Sequence, residues 1–219
     1  MPMPMPDREV MKTIAKLGTA GFVAAATFIA GWEGKRLTAV HEHIDPPGII
    51  TVCQGITNYD KPDLKVGDRF TDQQCRDMFA AALVKYDNNM MKCIHVPLSQ
   101  NTRVAMLSFN YNVGQGNFCK SSVVRKINAG DLNGGCDALM LFVNANGKRI
   151  QGLANRRAAE RKLCKQPDTD TGAVVFKADD FTPPKPEPAP LPKPKPAFPP
   201  SPPKPAPVSF WGWLIGARS

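Results

Sequence analysis

Proline occupies 14 of the 25 positions from 183 to 207, and this limits what the chain can fold into more than any other feature. Proline offers no backbone N–H and locks φ, so neither a helix nor a sheet can run through such a stretch. The stretch reads as a polyproline stalk, up to roughly 75 Å long if fully extended. Lys185, Lys193, Lys195 and Lys204 are interleaved with the prolines, and the stalk leads into the apolar tip Ser209-Phe-Trp-Gly-Trp-Leu-Ile-Gly-Ala217. The tip is of the kind that touches a membrane interface or a partner groove, or that a protein can dispense with. Residues 166–219 are therefore set apart, and of the 219 residues only those before about Gln166 are available to build a domain. That is enough for one domain of ordinary size.

At the other end, Met1-Pro-Met-Pro-Met-Pro-Asp-Arg-Glu9 is expected to be disordered. From Leu17 to Trp32 the chain carries no charge (LGTAGFVAAATFIAGW), with Lys12 and Lys16 before it. Sixteen residues fall short of the ~20 that cross a bilayer comfortably. With Val10, Met11 and Ile14 included and Lys16 snorkelling, residues 10–32 just span. The run is mostly Ala, Gly and Thr, so lipid would hold it weakly, and the preceding positive charges favour a cytoplasmic N-terminus with an exported remainder. Three readings stand: a weak membrane anchor, a cleaved signal peptide with Ala24-Ala25-Ala26 as its small-residue site, and a core helix. Glu33 follows with no spacer. If Glu33 does chemistry, Phe28 and Ile29 belong in the folded core, and the segment has two successive homes.

The net charge is +9. Residues 33–165 alone hold 19 Lys/Arg against 12 Asp/Glu, a net of +7. A basic globular core calls for an anionic partner: nucleic acid, a membrane surface or an acidic polymer such as peptidoglycan. No nucleic-acid-binding motif is present. The six cysteines, Cys53, Cys75, Cys93, Cys119, Cys136 and Cys164, form no CxxC pair and no His/Cys zinc pattern, so no metal site is expected. An even number spread through one domain suggests disulfides and an oxidising compartment; six reduced, buried thiols are the alternative. Of the fifteen pairings possible, the sequential one is expected: Cys53–Cys75, Cys93–Cys119 and Cys136–Cys164.

Residues 48–60 read as strand, turn, strand, with β-formers Ile49, Ile50, Thr51 and Val52 between Gly48 and Gly55. Beyond them the pattern is helical. Thr71-Asp-Gln-Gln74 is a capping-box sequence, and Phe79, Leu83, Tyr86 and Met90 then fall on one face. Ser99 caps a helix through Val104, Leu107 and Tyr111 that stops near Gly114. Ser121 and Gly130 bracket another, Asp131 opens one through Leu139 and Phe142, and a last runs from about Leu153 to Cys164. The fold class is α+β: a small β-hairpin lobe beside a mainly helical lobe.

Three residues carry the chemistry. Glu33 ends the apolar run, and Asp45 and Thr51 follow in a Gly/Pro-rich hairpin. Cleaving a glycosidic bond needs a protonated carboxyl for the leaving oxygen and, in an inverting enzyme, a second carboxylate about 6.5–9.5 Å away to hold water. Glu33 abuts Trp32 and an apolar helix, and burial favours the neutral form of a carboxyl. Asp45 sits in a turn and would orient water together with the Thr51 hydroxyl. The plainer alternative is a helix end and a turn start with no chemistry.

The stretches Trp32-Glu-Gly-Lys-Arg-Leu37, Asp45-x5-Thr51-Val-Cys-Gln-Gly55, Ser108-Phe-Asn-Tyr-Asn-Val-Gly-Gln-Gly-Asn-Phe118, Val124-Arg-Lys-Ile-Asn-Ala-Gly-Asp131 and Gly152-Leu-Ala-Asn-Arg-Arg-Ala-Ala-Glu-Arg161 resemble phage-type lysozymes of glycoside hydrolase family 24. The likeness covers residues 28–165, and the N-terminal run resembles the signal-anchor-release subgroup. The resemblance implies hydrolysis of the β-1,4 bond between N-acetylmuramic acid and N-acetylglucosamine, with Glu33 as acid, Asp45 as water-orienting carboxylate and Thr51 as catalytic threonine. It also implies passage through the inner membrane to the periplasm. Two departures stand out. The family usually has eight residues between Glu and Asp, whereas eleven separate Glu33 from Asp45; counting eight lands on Glu42, within His41-Glu42-His43, which is the alternative second carboxylate. The hairpin also reads Gln54-Gly-Ile-Thr57 where relatives often carry His-Gly-His-Thr. Tyr111, Asn112 and Gly114 are candidates to line the saccharide cleft, or else form a plain glycine-capped helix end. Arg156, Arg157 and Arg161 are candidates to meet anionic peptide stems, or else lie on a solvated face.

The expectation is a monomeric, cofactor-free endolysin acting on peptidoglycan glycan strands, with no nucleic-acid partner and transient inner-membrane contact through residues 10–32. A lytic transglycosylase and a non-catalytic wall-binding or membrane-tethered protein are the alternatives.

Overall fold

The computed structural model of the protein describes residues 21–41, 48–145 and 147–168. The expectations for residues 1–20, for Glu42, His43 and Asp45, and for the proline-rich stretch lie outside them. Among the described residues no helix is long and apolar enough to cross a membrane.

Residues 21–30 are helical (α1). Ala24, Ala25, Phe28 and Ile29 form one stripe on this helix and all are buried in the core, as period-3.6 patterning requires. Gly31 and Trp32 close the helix with turn hydrogen bonds to Thr27 and Ile29, and the Glu33 N–H donates to the Ile29 carbonyl at 3.2 Å. The backbone of Glu33 is thereby fixed to the last turn of a core helix.

A three-stranded antiparallel sheet follows, in order β1 (Arg36–Val40), β2 (Thr51–Cys53), β3 (Ile56–Thr57). Arg36 pairs with Cys53 and Val40 with Thr51, with an irregularity between; Thr51 pairs with Thr57 and Val52 with Ile56. Val52 and Ile56 point into the core. Two features differ from the sequence reading. The strand begins at Thr51 rather than Ile49, and β1 goes beyond the sequence reading. Its far edge is filled by the segment 67–70, through Ala39 N–H to Asp68, Gly67 N–H to Ala39 and Phe70 N–H to Leu37, so its pairing depends on residues distant in sequence.

The helical lobe starts with α2 (Asp72–Met90), whose capping box is complete: Thr71 Oγ1 accepts from Gln74 N–H, and the Gln74 side chain accepts from Thr71 N–H. Then come α3 (Gln100–Val113), α4 (Gln115–Lys120), α5 (Ser122–Asn128), α6 (Leu132–Ala138), a 3-10 turn (Leu139–Leu141), a minimal hairpin of β4 (Asn144–Ala145) and β5 (Lys148–Arg149), and α7 (Gln151–Cys164). Ser99, Ser121 and Asp131 cap α3, α5 and α6 through their side-chain oxygens, as their positions predict. The short α4 and the β4–β5 hairpin go beyond the sequence reading, and α7 starts two residues early.

Helix α3 is buried without a break from Val104 to Tyr111, the mark of a central helix, and α2, α4 and α7 pack around it. Arg103 bonds both oxygens of the fully buried Asp87 at 2.9 and 2.6 Å, tying α3 to α2. Three disulfides join Cys53 to Cys75, Cys93 to Cys119 and Cys136 to Cys164, with Cα–Cα separations of 5.2, 5.4 and 5.8 Å; the pairing is the sequential one. Past α7 the chain turns back, and the Asp168 carboxylate accepts from the N–H groups of Gln100 and Asn101 at the start of α3, at 2.8 and 2.9 Å.

Candidate active site

Glu33 lies where α1, the β2–β3 hairpin, α3 and α7 meet. Its side chain is 18% exposed. Arg156 of α7, 5% exposed, donates from Nη1 to Glu33 Oε1 at 2.6 Å. The other carboxylate oxygen faces the hairpin turn. A Cβ built on Gly55 would stand 2.8 Å from Glu33 Oε2 and 3.3 Å from the Tyr111 ring. Gly55 also has φ +78, so the turn requires glycine for its backbone conformation and for close approach alike. Cys53, one of the two residues before it, has φ 57. That is a costly conformation for a non-glycine residue, and the Cys53 disulfide to α2 holds it in place.

Tyr111 anchors the same turn from below. Its hydroxyl donates to the Gln54 carbonyl at 2.8 Å, and its ring packs against Tyr86 and Phe79 at centroid distances of 4.9 and 5.8 Å. Burial, then the negative charges of Asp60 and Glu33, push the Tyr86 hydroxyl up to about 12. The Tyr111 hydroxyl is pushed well above its ordinary value, chiefly by burial and next by Glu33. Both remain neutral at any working pH. Asp60 accepts from Thr57 and pairs with Lys85 at 2.9 Å, and thereby stiffens β3.

Behind Glu33 the arginines are not on a solvated face, and this corrects the sequence reading for two of the three. Arg157 is fully buried and Arg156 nearly so, because both converge on Glu160, itself fully buried. Arg156 Nε and Arg157 Nη2 donate to Glu160 Oε1 at 3.2 and 2.9 Å, Ser108 Oγ donates to the same oxygen at 2.6 Å, and Arg157 Nε lies 2.8 Å from Glu160 Oε2. Arg156 also donates from Nη2 to the Ser108 carbonyl at 3.1 Å. The Arg157 guanidinium stacks over Phe109, 4.9 Å from the ring centre, and Nη2 also reaches Asn112 Oδ1. Burial lowers Arg157 to about 10, still cationic at neutral pH. Arg161 alone is exposed, paired with Asp137. Arg156 is thus a partner of Glu33 rather than an open-surface ligand for substrate.

The other expected residues sit as follows. Thr51 opens β2, opposite Thr57, on the hairpin whose tip covers Glu33. Tyr111 is buried, Asn112 is exposed at the end of α3, and Gly114 ends that helix at φ 79. Asp45 lies outside the described residues. His41 is exposed, its Nδ1 2.7 Å from the Ile49 carbonyl oxygen. A groove of about 470 Å³ between the hairpin lobe and α2, lined by Ile56, Asp60, Phe70, Met78 and Lys85 among others, includes none of the expected site residues. Among the described residues no three His, Cys, Asp or Glu side chains gather as a metal site.

The family model described as phage lysozyme matches residues 30–160, a span that holds Glu33, the hairpin and the arginine pair. The chain belongs to the phage lysozyme family. It is a muramidase, a glycoside hydrolase. The phage lysozyme chain is 35% identical over 150 residues to a SAR-endolysin of Bacteriophage PS119, covering 67% of this chain and 88% of that one. It is 32% identical over 162 residues to a SAR-endolysin of Pseudomonas phage phiKMV, covering 72% and 96%. Among solved structures, the muramidase domain of SpmX from Asticcacaulis excentricus superposes with a TM-score of 0.58 at 27% identity, covering 66% of this chain and 96% of that chain.

Sequence reasoning missed the Glu33–Arg156 pair and the role of Glu160 in this lysozyme. The spacing Arg156-Arg157-x-x-Glu160 was the available signal. At i, i+3 and i, i+4 the three side chains share one helix face, and a charged triad on the face that packs against an apolar helix has to be buried and mutually paired.

Proposed function

We propose that this phage lysozyme is an endolysin that hydrolyses the β-1,4 bond between N-acetylmuramic acid and N-acetylglucosamine in peptidoglycan, and so lyses the host. Glu33 protonates the leaving oxygen, and Asp45 with Thr51 orients the attacking water. The observation that carries this reading is the clamp on Glu33. One oxygen is held by Arg156 at 2.6 Å, which leaves the other, on the hairpin side, as the oxygen that bears the proton. A fixed rotamer and a single proton-bearing oxygen are what general acid catalysis needs.

The protein acts as a monomer in the periplasm. Residues 10–32 enter the inner membrane as a weak anchor and leave it, and residues 21–30 fold onto the domain as α1. Burial of Ala24, Ala25, Phe28 and Ile29 supports this order of events, because the apolar face that lipid would cover is covered by protein instead.

The decisive substitution is Glu33→Gln, which keeps the shape and removes the acid. Clearing of purified cell walls should fall about 10³-fold while the melting temperature stays within a few degrees, and wild-type products should carry a reducing end from added water. Undiminished clearing refutes the acid assignment; anhydro-sugar products point to a transglycosylase.

A further inference from the structure

The pairing that holds Glu33 creates a problem for an acid. A guanidinium stands 2.6 Å from a carboxyl oxygen, yet the reaction needs that carboxyl to carry a proton. The structure contains a counterweight. On the far side of Arg156, Glu160 is enclosed completely and takes the Arg156 Nε, both Arg157 contacts and the Ser108 hydroxyl described above. Burial outweighs the opposing arginines and Ser108, so the Glu160 carboxyl lies above the usual carboxylate range. Three donors on Oε1 and the Arg157 guanidinium 2.8 Å from Oε2 favour the carboxylate against that burial.

We propose that Glu160, assisted by Ser108, is a positioning residue for the reaction: it aims Arg156 at Oε1 of Glu33 and offsets the arginine charge beside the acid. This rests on Glu33 being the acid. The four charges Glu33, Glu160, Arg156 and Arg157 sum to zero when all are ionised. Protonating Glu33 leaves a single positive charge, spread over two arginines that Glu160 bridges. Without Glu160 the protonated state would carry two uncompensated guanidiniums in a buried site, a costly arrangement.

Among the described residues, the other titratable groups near Glu33 do not supply this balance. Tyr86 on α2 and Tyr111 on α3 stay neutral. Asp60 is committed to Lys85 and Thr57. Lys35, two residues along the chain, pairs with Asp72 at 2.9 Å.

The test is the pH profile of turnover on soluble glycan fragments at fixed ionic strength. The alkaline limb marks loss of the acid's proton. In Glu160→Gln the limb should move to lower pH by about one unit, with KM unchanged. Arg157→Gln should move it the opposite way. The double variant Arg157→Gln/Glu160→Gln restores the charge count, and its limb should return to within a few tenths of wild type, although it combines two core substitutions. A merely structural role predicts instead that activity falls in step with melting temperature and that all limbs coincide; that result overturns the proposal. If Glu160→Gln does not fold, Arg157→Gln and the double variant decide by the same criterion. Glu33→Gln separates the two layers. A dead Glu33→Gln with unmoved limbs sinks this inference alone, whereas an active Glu33→Gln sinks the acid assignment beneath it.

Discussion

Gly55 and Tyr111 show how little freedom the acid has. A methyl on Gly55 would meet Glu33 Oε2 at 2.8 Å and sit on a backbone at φ +78. Gly55→Ala should cost about 1–2 kcal/mol of stability and lower turnover on cell walls by at least tenfold, a larger loss than the stability change explains. Chemical denaturation and a wall-clearing assay on the same sample check both halves. Tyr111→Phe removes only the hydroxyl that the Gln54 carbonyl accepts and should cost about 1 kcal/mol. At this scale Glu33 was legible because it follows an apolar run without a spacer. Arg156 was not. Its partner is 123 residues away, and an arginine seen without its fold defaults to solvent.

Among the elements, α1 carries the acid into the site. Phe28 is 1% exposed, and Phe28→Ala should cost about 3–5 kcal/mol and reduce wall clearing, because undocking α1 carries Glu33 away. Val23, 57% exposed on the same helix, is the control, and Val23→Ala should change stability by under about 0.5 kcal/mol. Two carboxylates at α6, its cap Asp131 and Asp137 within it, also have a pH signature. The Gly134 N–H, then Lys126, holds the Asp131 carboxyl below the usual range, and Lys165 with Arg161 does the same for Asp137. Carboxylates with depressed native values stabilise the fold above their unfolded value of about 4 and lose that contribution as pH falls through the native one. Melting temperature should therefore decline from about pH 4 downward, and less steeply in Asp131→Asn. The four capped helices were readable because a cap and its helix are neighbours in sequence. Strand β1 was not, since its edge is completed by residues 67–70, and the six-residue α4 is too short for a period to register.

For the whole molecule, the three disulfides close consecutive loops with separations of 22, 26 and 28 residues. None encloses another, so each secures its own neighbourhood: hairpin to α2, the end of α2 to α4, and α6 to α7. Replacing Cys136 and Cys164 by serine should cost about 3–4 kcal/mol, seen as a melting temperature lower by roughly 10 °C. The sequential pairing was one of fifteen that the six cysteines allow, and the order of the cysteines did not select it; the two-lobed α+β plan was legible in the switch of hydrophobic period after residue 60. The charge network threaded through α7 was not, because composition reports how many arginines there are and not which of them the core encloses.

Gln100 has a double duty. Its side-chain amide occupies the space that a Cβ on Gly21 would need, while its main-chain nitrogen is gripped by Asp168. The first and last described stretches of the chain thus share one seat, and a shortened protein ending before position 168 would loosen the berth of the helix that delivers Glu33. Anyone trimming the proline-rich extension for crystallisation or for use as a lytic reagent should cut after this aspartate.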